Sequence, residues 1–403
     1  MATSRSLSAI PTKSFASVEA MVGELTPSYP VYCIRPGVLK AAARRFLERF
    51  PGRVLYAVKC NPDERILRIL HDAGIVHFDS ASLPEIALVR ELFPDAVNYF
   101  MHPVKARAVI RAAYSIYGVR HFVLDHPNEL AKVLDETGGE QVAIIVRLAT
   151  PDAGAIYELS RKFGAQPEEA AALLKMVARE GLQGGLAFHV GSQCASPDAY
   201  RTALSLVGRV VEMSGTDIHF LDVGGGFPAP YPGTDAPPLE TFFEAIDAGL
   251  MELGLRRDCV VMCEPGRALV AEGMSLIVQV QLRKGDQLYV NDGIYGSLSE
   301  AKVAGLTYPA RLIRLDGEPS AEQGDFLING PTCDSVDVLP EPFRLPADAR
   351  EGDWIEIGAI GAYSNANSTR FNGFFPETYV EIHDGADVGL TTERTAGTAG
   401  AAD

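Results

Sequence analysis

At 403 residues the chain is too long for one ordinary core, which points to a large barrel domain with a second domain attached. Hydrophobic content of 47% and charged content of 22% suit a globular enzyme, while a formal charge of -16 argues against nucleic acid as a partner and is compatible with cationic small molecules. No apolar run reaches membrane-spanning length and the N-terminus lacks the charged-then-apolar layout of a signal peptide, so the sequence reads as cytoplasmic, with no membrane partner.

The chain opens with a polar, Ser-rich segment to about Ala16, expected to be loosely ordered, then a short strand at 31–34 and a helix at 38–50. An alternation follows. Apolar strands are predicted at 54–59, 75–80, 97–101, 121–125, 142–148, 182–190, 219–223 and 260–264, separated by helical patterns at 62–72, 83–92, 105–116, 127–136, 167–180, 197–213 and 239–253. Strands alternating with helices in this number predict a (β/α)8 TIM barrel, an α/β fold. Beyond Arg267 the pattern changes to strands without long helices, at 274–282, 286–290, 310–315, 325–328, 354–357 and 379–382, which reads as an antiparallel β domain. The expected division is an N-terminal segment 1–36 that partly joins the β domain, a barrel 37–272, a β domain 273–383 and a floppy tail 384–403.

Chemistry in such a barrel gathers where the strands end, because the loops leaving them form one rim. Those ends carry Lys59, Asp79, Asp125, Arg147, His189, Gly224-Gly225-Gly226 and Glu264. Lys59 closes the apolar run 55–58 just before the breaker Asn61-Pro62; a lysine buried there has a lowered pKa and suits condensation with an aldehyde cofactor. Taken singly, each has a structural alternative: a surface lysine, a satisfied core histidine, Asp79 as a helix cap, Glu264 as a partner of Arg267. Their concentration on one rim favours chemistry. The glycine run and Glu264-Pro265-Gly266-Arg267 at the next strand end read as two sides of a phosphate cradle, with amides exposed by the glycines and positive charge from Arg267. Six cysteines without dense spacing fit reduced thiols, and Cys259 and Cys263 lie inside one apolar run, so core thiols are favoured over zinc and no metal is expected. In the β domain, 329–337 puts Cys333, Asp334 and Asp337 on a Gly-Pro loop, and 358–363 leads into 368–374.

The motifs YAVKCNP, HVGSQ, DVGGGFP, CEPGRALV, NDGIYGS, NGPTCDSVDVL and GAYSNANSTRFNGF, in this order from Tyr56 to Phe374, resemble the alanine-racemase-like barrel class of pyridoxal-phosphate decarboxylases. AVKCN, the stretch 158–165 and GPTCDS are similar to ornithine decarboxylases, whereas diaminopimelate decarboxylases usually carry a glutamate where this chain has Asp334. The resemblance implies a cofactor, pyridoxal 5'-phosphate, attached to Lys59, with Glu264 at the pyridine nitrogen and His189 over the ring. It implies Asp79 and Arg147 about the lysine and the phenolic oxygen. The phosphate falls to Ser192, Gly224, Gly225, Gly226, Pro265, Gly266, Arg267 and Tyr363, Cys333 returns a proton to the α-carbon, and Asp334 with Tyr295 receives the substrate. It further implies a homodimer with shared active sites, turning L-ornithine into putrescine, with L-lysine as a second substrate. Diaminopimelate or a conjugated diamine is an alternative substrate. A non-catalytic regulatory relative should have lost Lys59 or Cys333, and a racemase should lack the GPTCDS loop. The chain departs from the pattern after NDGIYGS, where ornithine decarboxylases commonly place a further aspartate; here 298–305 has none, and Glu300 is the carboxylate that could compensate.

Overall fold

The computed structural model describes residues 12–151, 162–234 and 236–384. Residues 158–161 of the ornithine-decarboxylase-like stretch and the tail from 385 onward lie outside the described residues. Eight parallel strands close a barrel: Arg53–Ala57, His77–Ser80, Val97–Phe100, His121–Leu124, Ala143–Arg147, Gln183–Ala187, Phe220–Asp222 and Val260–Cys263, the last returning to pair with the first. Helices such as Pro127–Thr137 and Pro167–Arg179 begin with proline at their first position, where the missing N–H costs nothing. Their apolar faces cover the outside of the barrel, while Leu55, Tyr99, Val123, Ile145, Phe220 and Met262 fill its inside. Burial on both faces is why these strands read as nearly unbroken apolar runs.

The last barrel strand leads through the short helix Arg267–Val270 and a 3-10 turn into Met274–Lys284, the longest strand of a nine-stranded sheet. This sheet is mixed rather than wholly antiparallel. Met274–Lys284 pairs antiparallel with three neighbours, but Thr378–Ile382 runs parallel to both Val31–Ile34 and Lys13–Phe15, and Gln287–Val290 runs parallel to Gln323–Asn329. At its described end, residues 12–15, the segment before Ala16 corrects the expectation of looseness, since Phe15 is buried and Lys13–Phe15 is a paired strand; residues 1–11 lie outside the described residues. Asp384 is also held, by Arg35, which bonds Ser275 and Glu356 as well. A helix at Ser299–Val303 interrupts the expected run of strands.

At the floor of the barrel, opposite the rim, His77 and His121 open their strands beside Arg53, whose guanidinium donates to the Tyr99 hydroxyl at 3.0 Å. His121 stacks on Tyr99 at 4.3 Å. Burial and the Arg53 charge push both imidazoles down to about 4, and His77 adds to the effect on His121. Because the folded values lie below the unfolded one, their contribution is complete above about pH 6.5 and is lost as pH falls toward 4. The loss has a limiting slope of about 1.4 kcal/mol per pH unit for each histidine. His121→Gln should therefore lose less thermal stability between pH 7 and pH 5 than wild type, measured by melting at each pH; identical slopes would assign the acid sensitivity elsewhere.

Candidate active site

The first barrel strand ends at Ala57, and Lys59 sits in a single turn of 3-10 helix, Val58–Cys60, that lifts its side chain into the barrel mouth. That turn is fixed from the β domain: the Tyr363 N–H donates to the Cys60 carbonyl at 2.8 Å, and the Asn61 amide donates to the Gly361 carbonyl at 2.8 Å. Lys59 ion-pairs with Asp79 from the next strand, the lysine side chain 42% exposed and the aspartate 1%. Burial works against the charge on Lys59, but Asp79 and Glu264 outweigh it and hold the ammonium above the ordinary lysine range. This reverses the lowered pKa expected from burial alone.

Beside the Lys59 turn, Glu264 follows the last strand, which pairs with the first, and its N–H donates to the Gly224 carbonyl at 2.8 Å. Burial, with Asp222 and Asp79 close by, pushes Glu264 well above the usual carboxylate range. Asp222, wholly buried, is pushed up to about 7 by burial, against the Gly224 N–H that it accepts at 2.8 Å. Burial and the charges of Arg147 and Lys59 drive His189 well below its ordinary value, so its imidazole is neutral. Its Nδ1 accepts the Gly191 N–H at 3.0 Å, which leaves the ring proton on Nε2. A Cβ on Gly225 would lie 2.5 Å from the Glu264 carbonyl oxygen and 3.1 Å from His189 Nε2, so only glycine passes between the two.

Arg267 opens the short helix Arg267–Val270 after Gly266 and is buried. Its guanidinium forks onto Glu300 at 2.8 and 2.9 Å, donates to the Tyr231 hydroxyl at 3.0 Å and reaches Ser192 Oγ at 3.4 Å. Tyr363, with φ of 56°, carries its ring to within 5.0 Å of the same guanidinium. Two expectations change here. The positive charge of Arg267 is balanced by Glu300, and Glu300, buried in this pair, is not free to stand in for the missing aspartate. Arg267 also pairs with Glu300 rather than Glu264. Arg147 packs on Phe163 at 5.7 Å, and Asp125 accepts the Gly164 N–H at 2.8 Å, fixing a loop instead of entering the mouth.

A second group lies in the β domain. The Tyr295 hydroxyl donates to Asp334 at 2.6 Å, which holds that carboxyl below its usual range. Phe371 packs on Tyr295 at 4.9 Å, and the exposed Cys333 is anchored by its N–H to Asn372 Oδ1 at 3.1 Å. Residues 361–372 run from the Lys59 turn to this loop, with Thr369 bonded to the Tyr295 carbonyl. Sequence reasoning assigned no role to Asp222, Tyr231 or Asn372, although Asp222 and Asn372 lie inside motifs it singled out.

The rim residues fit the implied cofactor. Lys59 would offer an amine to its aldehyde and Glu264 a carboxyl to its ring nitrogen. Two buried atoms without hydrogen-bond partners, Asp79 Oδ1 and Arg267 Nε, offer an acceptor and a donor at the ends of the two strands that flank the one leading to Lys59.

Residues 37–271 match the family model described as pyridoxal-dependent decarboxylase, pyridoxal binding domain. A lysine/ornithine decarboxylase of Selenomonas ruminantium is 36% identical over 341 residues, covering 82% of this chain and 83% of the relative. Antizyme inhibitor 2 of Xenopus laevis is 34% identical over 359 residues, covering 82% of this chain and 76% of the relative. The lysine/ornithine decarboxylase of Vibrio vulnificus, solved with putrescine, superposes with a TM-score of 0.79 at 30% identity, covering 91% of this chain and 97% of that one. The chain thus belongs to the pyridoxal-dependent decarboxylases and is a carboxy-lyase whose cofactor is pyridoxal phosphate.

Proposed function

We propose that the protein decarboxylates a basic amino acid, L-ornithine to putrescine and carbon dioxide, in polyamine biosynthesis, with L-lysine to cadaverine as a second activity. The observation that carries the substrate class is the fate of two carboxylates. Glu300 is consumed by Arg267, whereas Asp334 is ionised, bonded only to neutral donors in Tyr295 and the Val336 N–H, and able to receive a distal ammonium. A distal carboxylate, as in diaminopimelate, would meet the charge of Asp334 and be repelled. The similarity to an antizyme inhibitor leaves the decision between enzyme and non-catalytic relative to single residues, and Lys59 and Cys333 are both retained.

In this reading Lys59 anchors the cofactor aldehyde, and Asp79 orients the amine by accepting its proton-bearing face. When bound, pyridoxal phosphate supplies an electron-withdrawing ring that receives the electron pair left as carbon dioxide departs. Glu264 pairs with the ring nitrogen, and neutral His189 covers the ring without adding charge. Arg147 balances carboxylates near the lysine. Ser192, the amides of 224–226, Pro265-Gly266, Arg267 Nε and Tyr363 hold the phosphate. The Cys333 thiol donates the proton that replaces the lost carboxyl on the α-carbon, while Tyr295 and Asp334 fix the side chain.

The proposal extends to a cytoplasmic homodimer in which the β domain, 273–383, presents the Cys333–Asp334 loop to the barrel, 37–272, of its partner. An exposed Cys333 beside half-exposed Phe371 and Phe374 supports a loop completed by a second copy. Carbon dioxide and amine measured for ornithine, lysine, arginine and diaminopimelate should give the highest kcat/KM for ornithine, lysine next, and the other two at least about tenfold lower; a preference for diaminopimelate or arginine would refute the substrate reading. Mixing inactive Lys59→Ala and Cys333→Ala proteins with subunit exchange should restore about a quarter of wild-type activity, since about half the dimers are mixed and each has one intact site. No recovery despite exchange would place Cys333 with its own chain's lysine.

A further inference from the structure

The loop 330–337 closes on itself, the Gly330 N–H donating to the Asp337 carbonyl at 2.8 Å, and folds around one buried carboxylate. Asp337 is 2% exposed. Its Oδ1 accepts the Ile294 N–H at 3.0 Å, one residue before Tyr295. Its Oδ2 accepts the Thr332 N–H at 3.1 Å and the Thr332 hydroxyl at 2.7 Å, one residue before Cys333. The chain is built to admit this group: a Cβ on Gly293 or on Gly330 would fall 2.2 Å from Asp337 Oδ1. Asp337 thus receives three donors from two loops that are distant in sequence, NDGIYGS and NGPTCDS. All three are backbone or hydroxyl donors, so its oxygens orient the two loops that carry them.

We infer that Asp337 is a positioning residue that sets the distance between Tyr295 and Asp334, and so the readout of the substrate's distal ammonium, without touching substrate or cofactor. The Tyr295–Asp334 hydrogen bond of 2.6 Å joins side chains from the same two loops, and its length depends on how those loops are held. A carboxylate serves where an amide would not, because all three incoming groups are donors and an amide turns one acceptor into a clashing donor. The inference rests on the assignment of Tyr295 and Asp334 to the substrate side.

Its test uses holoenzyme and two amines, cadaverine and n-pentylamine, which differ in the distal ammonium alone, with calorimetric Kd as the readout. Asp337→Asn should weaken cadaverine about tenfold and pentylamine less than threefold, and leave cofactor affinity unchanged, because only the ammonium subsite is displaced. Thr332→Val, which removes one of the three donors, should show the same selectivity at about threefold and carries the test if Asp337→Asn does not fold. In a double-mutant cycle, Asp337→Asn or Thr332→Val added to Asp334→Ala should bring no further loss of cadaverine preference. Equal weakening of both amines, no change in either, or full additivity with Asp334→Ala would overturn the inference. An Asp334→Ala protein that still prefers cadaverine as strongly as wild type would instead overturn the assignment beneath it.

Discussion

The site depends on a crowding of charge around Lys59. Asp79, Asp222 and Glu264, three buried or half-buried carboxyls from three strand ends, share one lysine cation inside the barrel mouth. Burial and this crowding push Glu264 well above the usual carboxylate range, against the pull of Lys59 and Arg147. The same crowding explains why the lysine is held as a cation: its charge is what the carboxyls have available before the cofactor arrives.

A second balance operates at the phosphate side. Arg267 is buried with a bidentate glutamate, so the cradle contributes donors and backbone amides more than net charge, with Arg267 Nε as the unspent buried donor. The cost falls on the pocket's substrate end. Glu300, which sequence inspection offers as a replacement for the missing aspartate, is instead paired with buried Arg267. Barrel and β domain meet through this division of labour, the 361–372 segment reaching from the Lys59 turn to Tyr295.

The barrel was legible because parallel strands buried on both faces leave apolar runs of recognisable length, and because strand ends gather on one rim: Lys59, Asp79, His189, Gly225 and Glu264 meet there as their positions in the repeat require. What stayed illegible depends on pairings between distant segments. The direction of the Lys59 shift turns on carboxylates 20 and 205 residues away, which local burial logic cannot weigh. The role of Glu300 was hidden because the helix Ser299–Val303 interrupts a domain read as strands, and only that helix aims it at Arg267. Lys13–Phe15 is too short and polar to signal a strand, and it pairs because Thr378–Ile382 offers an edge.

Lys59 has a rival in the chain that a pKa argument alone would prefer. Lys105 is buried and pushed down to about 8 by burial, the property sought in an amine that condenses with an aldehyde. Its ammonium, however, is spent on the carbonyls of His102, Pro103 and Val123 at 3.0, 3.0 and 2.6 Å, with Glu129 at 3.5 Å. It faces no cradle. Reduction of the holoenzyme with borohydride, followed by peptide mapping, decides between them: absorbance near about 420 nm should vanish and the cofactor should be fixed on the peptide bearing Lys59. Label on Lys105, or on any other lysine, would contradict the account at its centre.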